Sequence, residues 1–188
     1  MIPVLFLLAS TTTTAVAHPG HGGDAGAMFL HPFRGVDHLL VMLAVGVLAT
    51  RVGGRALWAI PLGFLSMMVA GAALAGAGMA LPSVELGIAL SVLGIGGLIA
   101  VGARPSVAAA TAIAGAVATL HGYAHGAEIG ASAQLMVPLL AATAALHGAG
   151  IGLGLLSRQV AGERTTVALG DRLLGGVMVV VGAALLFG

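Results

Sequence analysis

The chain has 188 residues, of which 59% are hydrophobic and 7% charged, with a formal net charge of +1. A water-soluble domain needs several times that share of charge to cover its surface, so the composition excludes one and indicates a polytopic membrane protein. The net charge says little about partners, because seven Arg and six acids are spread through the connections; a lipid bilayer and no nucleic acid are expected. The chain has no Cys, which rules out thiolate metal sites and disulfides.

The expected fold is an all-α polytopic transmembrane helix bundle with six spans after a cleavable signal peptide. The signal peptide is expected over 1–17. Ile2 to Ala9 is an apolar core, Thr11 to Thr14 is polar, and Ala15-Val16-Ala17 fits a small-residue cleavage site, although no basic residue precedes the core. Cleavage would leave an extracytoplasmic segment, 18–30, beginning His18-Pro19-Gly20-His21. Its free amine and two imidazoles could collect late first-row metal ions at the mouth of the protein; the plain alternative is a linker.

The transmembrane domain is expected over 31–188. Crossing the hydrocarbon takes about 20 apolar residues. Six runs qualify: 31–50, 56–81, 84–103, 106–126, 133–157 and 165–187. Pro61 and Pro138 fall near helix starts, and Pro82 and Pro105 in connections. The last run is interrupted by Asp171 and Arg172, so that Arg must snorkel or the span is short. The spacings Gly122/Gly126/Gly130 and Gly148/Gly152 suit close helix contact.

Orientation follows from arginine, since Lys is absent. Arg51 and Arg55 lie between the first two spans, Arg104 between the third and fourth, and Arg158, Arg164 and Arg172 around the start of the sixth. The connections 82–83 and 127–132 hold neither Lys nor Arg. The positive-inside rule then assigns the arginine-bearing connections to the cytoplasm and both mature termini to the periplasm of a bacterial inner membrane.

Against this apolar background the titratable groups stand out. His31, Asp37 and His38 begin the first span. His121, His125 and Glu128 are spaced i, i+4, i+7 near the outward end of the fourth, one face of a helix if the helix persists that far. Imidazoles and carboxylates are costly at membrane depth and mark ion or proton paths. They are also ligands for borderline divalent metals. Asp37 could ligate, orient a histidine, or pair with Arg34 at i, i+3. Met42, one turn after His38, could add a thioether or simply pack. His147, about 14 residues into the fifth span, lies beyond the midplane. Glu85, Glu163 and Asp171 read as ordinary interfacial charges.

The run His31-Pro32-Phe33-Arg34-Gly35-Val36-Asp37-His38-Leu39-Leu40-Val41-Met42, followed by Ala44-Val45-Gly46, resembles the first signature of the HupE/UreJ nickel/cobalt permeases. Leu120-His121-Gly122-Tyr123-Ala124-His125-Gly126-Ala127-Glu128 resembles the second, with Leu120 where an aromatic is often found. The resemblance covers the whole chain. It implies uptake of nickel or cobalt into a bacterial cytoplasm to supply enzymes such as hydrogenase or urease. It implies a transiently bound ion rather than a prosthetic group. It carries over to His31, Asp37, His38, His121, His125 and Glu128, and extends to Met42; His147-Gly148-Ala149-Gly150 matches neither signature.

The sequence holds no Gly-x-x-x-x-Gly-Lys-[Ser/Thr] loop, no His-Glu-x-x-His and no Gly-x-Ser-x-Gly. An ATP-driven pump or an enzyme is therefore not expected. The expectation is passive or potential-driven permeation. The alternatives are a membrane-embedded metalloenzyme on the same ligands and a proton-coupled transporter of another divalent metal.

Overall fold

The computed structural model describes residues 24–130, 132–161 and 169–187. The expected signal peptide, His18, His21, Glu163 and Arg164 lie outside the described residues. Seven helices and no strand occur among them: α1 (Ala25–Arg34), α2 (Val36–Val52), α3 (Ala56–Gly76), α4 (Val84–Ala100), α5 (Val107–Ile129), α6 (Ala133–Ala161) and α7 (Leu169–Phe187). Four of these, α3, α5, α6 and α7, are long and apolar enough to cross a membrane, and α1 with α2 makes a fifth if a bent pair is one span. α4 has 17 residues, about 26 Å at 1.5 Å per residue.

The helix starts have local causes. Asp24 caps α1 by accepting from the Gly26 N–H at 3.0 Å, and Ser106 caps α5 by accepting from Ala109 at 3.2 Å. The expected first span, 31–50, is broken. Gly35 is extended (φ −90°, ψ 120°), and α1 and α2 meet at 81° across it. The second run stops at Gly76 rather than 81, and Gly78 takes φ +71° in the turn that follows. α5 instead runs on to Ile129, which keeps Glu128 helical. Pro61 and Pro138 lie inside α3 and α6, beyond the first turn.

α2 is the central helix. Apart from Leu43, every residue from Val41 to Arg51 is buried, as expected of a helix apolar on all faces. The surrounding helices present Leu62, Val69, Leu90, Leu156 and Val180 outward, an apolar exterior fit for lipid.

Glycine joins the helices in couples. A Cβ on Gly46 of α2 would strike the His147 carbonyl of α6, and one on Gly150 the Leu43 carbonyl. On α3 and α5, Gly71 meets the Thr119 carbonyl and Gly122 the Met68 carbonyl. On α4 and α7, Gly175 meets the backbone of Ala100. Such contacts supply packing where the hydrophobic effect cannot. The expected Gly148 and Gly152 do not take part: both face open space, and Gly150 and Gly154 make the contact. Gly130 is the C-cap of α5, with φ +65°.

Candidate functional site

The histidines gather at one end of the bundle. On a straight helix His31 and His38 would lie about 10 Å apart along the axis. The bend at Gly35 folds α1 back instead, and their ring centroids are 5.9 Å apart. α5 brings the second set. His125 lies 4.9 Å from His31 and 4.8 Å from His38, and His121 lies 5.0 Å from His38, centroid to centroid. One nitrogen from each of His31, His38 and His125 falls within a 4.8 Å group. Two sequence signatures some 90 residues apart thus form one cluster.

The acids flank it. Asp37 Oδ1 is 3.1 Å from His38 Nδ1. A carboxylate can only accept, so this contact selects the tautomer with the proton on Nδ1 and leaves a lone pair on Nε2. Arg34, across the break, makes no ion pair with Asp37 among the described residues, and the i, i+3 alternative fails because no single helix holds both. Glu128 Oε2 is 3.8 Å from His125 Nδ1, beyond hydrogen-bond reach, with a side chain that is 61% exposed. A cleft of about 270 Å³ lined by Asp37, Glu85, Ile88, Ala89 and Leu185 opens beside the dyad. Glu85 therefore shares Asp37's cleft, a proximity its place at the start of a span did not signal.

Gly35 leaves room for this geometry. A Cβ there would lie 2.9 Å from Asp37 Oδ1 and 3.1 Å from His38 Nδ1. Any other residue crowds the pair.

His121 is fully buried and its Nδ1 donates to the Val117 carbonyl at 2.9 Å. Its Nε2 has no partner, nor do His38 Nε2 and both nitrogens of His125. Tyr123 stands on the other side of α5. Its hydroxyl donates to the Met79 carbonyl at 2.9 Å and accepts from Leu81 N at 3.2 Å, docking the α3–α4 connection.

Deeper in, Phe64 of α3 separates two levels. Its ring is 6.3 Å from His121 and meets His147 edge-on at 4.9 Å. His147 is buried with neither nitrogen bonded, so it lies apart from the three-histidine group but shares its unsatisfied state. Nothing in the sequence distinguishes Phe64 from a packing residue. Met42 is fully buried in the apolar core.

At the opposite end the polar groups behave differently. Arg51 and Asp171, read from sequence as a connection charge and an interfacial charge, are both buried and paired, Nη1 to Oδ2, at 3.2 Å. Arg51 also donates to the Ile99 carbonyl at 3.0 Å, and Arg158 to the Thr50 carbonyl at 2.8 Å. An acid inside an apolar run and an arginine flush with a span end were the available signals.

The HupE / UreJ protein family matches residues 5–185. Protein HupE of Rhizobium leguminosarum bv. viciae is 40% identical over 178 residues, covering 93% of this chain and 91% of that protein. No solved structure matches. A family match over nearly the full length, carried by a relative this similar, leaves one assignment: the chain belongs to the HupE / UreJ family.

Proposed function

We propose that the protein is a passive or potential-driven permease that takes up Ni²⁺, or Co²⁺, across the bacterial inner membrane for metalloenzymes such as hydrogenase or urease. The observation that carries this reading is the convergence of His31, His38 and His125 from α1, α2 and α5 within an apolar bundle. Unsatisfied imidazole nitrogens at such depth cost free energy that a ligand would recover. In this reading the bent pair and α4 each cross the bilayer, giving six spans. The histidine end faces the periplasm, as do both termini, and the arginine end faces the cytoplasm.

The cation is the substrate. Taking it out of water requires nearby negative charge. Asp37 and Glu128 supply two units at the cluster, enough to neutralise one M²⁺. Ligands at about 2.0–2.1 Å from a tetrahedral ion sit about 3.4 Å from one another. The 4.8 Å group is looser, so a shared ion would draw the three rings together, with Gly35 as the flexible point. His121, whose lone pair is on Nε2, is the next acceptor inward. Phe64 forms a short apolar barrier, and His147 waits beyond it. An inside-negative potential favours inward movement of a divalent ion by about 4.6 kcal/mol per 100 mV, twice the single-charge value. Bulk coupling to ATP is unnecessary.

Purified protein in liposomes under an imposed inside-negative potential tests this. The logarithm of nickel or cobalt accumulation should rise linearly with the potential, while magnesium should not accumulate. Folded protein that passes no transition-metal ion at any potential would reject the permease reading.

A further inference from the structure

We propose that the buried Arg51–Asp171 pair is the inner closure of the permeation path, the contact that must part to let an ion out on the cytoplasmic side. The inference rests on the permease reading above.

Its position is the first argument. α2 carries His38 near one end and Arg51 near the other, about 20 Å apart along the axis. Gly46 lies between them, its backbone packed on the His147 carbonyl. An ion that has reached His147 is therefore about a turn and a half of α2 short of Arg51. The pair lies at the end of the route, where a barrier would act.

Its connections are the second. Arg158 to Thr50 stays within the α2–α6 couple, which glycine contacts already hold together. Arg51 crosses between couples instead. It reaches Asp171 on α7 and the Ile99 carbonyl on α4, both in the α4–α7 couple. These bonds tie the two couples at the cytoplasmic end. Among the described residues the one glycine approach between the couples there is Gly170 of α7 to the Ser157 side chain of α6, and no glycine packs on the partner's backbone, so the bonds can break while each couple stays intact.

Its charge is the third. A buried ion pair gains little over apolar packing, so its presence calls for a role beyond stability. A guanidinium in the route repels an approaching cation. When the pair parts, Arg51 moves off and the Asp171 carboxylate becomes an acceptor for the departing ion. Closed and open states thus exchange one cation for another on the same acid.

The chain has no native Cys, so a single reporter thiol can be placed freely. Leu48 is fully buried one turn from Arg51, on the same face of α2. Leu48→Cys protein in liposomes is treated with a membrane-impermeant maleimide from one side at a time. With the pair intact, the thiol should be protected from both sides. In Arg51→Gln with Asp171→Asn, which leaves no unpaired charge, cytoplasmic-side labelling should rise. An open state populated at about 0.1–10% in the parent leaves room for a rise of roughly tenfold or more. Asp171→Glu should keep the protection. Parent-level protection in the paired variant would overturn the proposal, and so would equal labelling from both sides, which means general loosening. If the paired variant does not fold, Asp171→Asn alone is scored by the same two criteria, and loss of fold in both makes the pair a structural tie and overturns the closure. Labelling needs neither metal nor flux. A failed uptake assay therefore rejects the permease reading, and a protected thiol rejects the closure.

Discussion

The two ends of α2 differ in what their buried polar groups meet. At the arginine end, Arg51 Nη1, the Asp171 carboxylate and the Thr50 carbonyl find partners on neighbouring helices, while Arg51 Nε and Ser157 Oγ are left without one. At the histidine end, His38, His121 and His125 retain ring nitrogens with none. A buried unsatisfied group costs about 1–3 kcal/mol. A fold can carry several only where something else recovers that cost, and under the permease reading a bound cation would recover it at the histidine end.

The contrast is broken most directly at the arginine end. Arg51→Ala strands the Asp171 carboxylate in the core and is expected to lower stability by about 3–5 kcal/mol, read by denaturant unfolding in detergent. An unchanged unfolding midpoint would mean that the pair holds nothing. At the histidine end the effect should fall on transport. His38→Ala and His121→Ala should each cut nickel uptake by roughly 100-fold or more, the upper range for groups that merely orient ligands. Their loss of stability should be smaller than that of Arg51→Ala. Parent-level uptake at matched expression would remove either ring from the route.

Asp37→Asn sharpens the comparison by removing charge and little shape. Uptake should fall by roughly 10–100-fold. Arg34→Gln alone should stay active, and the double variant should stay as poor as Asp37→Asn. Recovery in the double would mean that Asp37 only balances Arg34. The smallest effect is expected for Gly35→Ala. Its Cβ would crowd Asp37 and His38 by a few tenths of an ångström, well short of the 1 Å displacement that costs about 10²-fold. Uptake should drop several-fold while helicity is kept, and a parent-like rate would show that the dyad tolerates displacement.

The sequence disclosed the histidine end better than the arginine end, for a physical reason. His121, His125 and Glu128 share a helix, and helical periodicity makes their common face readable. His31 and His38 were legible as candidates but not as neighbours. Their approach depends on a bend at Gly35 that a continuous apolar run conceals. The joining of the two signatures, and the pairing of Arg51 with Asp171, are contacts between distant segments, and one sequence carries no record of them. Arg51 was further disguised by the rule that places arginines at the cytoplasmic ends of spans. That rule describes where they sit and not what they hold. The helical class and most helix starts followed from hydropathy, whereas the glycines that touch are not the expected ones on α6, because spacing alone does not fix which face meets a neighbour.

Tyr123 has a consequence for the imidazoles it never meets. It projects from the side of α5 opposite His121 and His125, and its hydroxyl is fastened to Met79 and Leu81. Each residue of a helix spans about 100° of azimuth, so a one-residue twist of α5 would swing both rings out of the cluster. The same twist would tear the phenol from the connection. Tyr123 is thus a torque arm that adds to the Gly122 and Gly126 contacts with α3 in holding the heading of the two imidazoles. Changes at 79–81 that leave every histidine in place can still turn them.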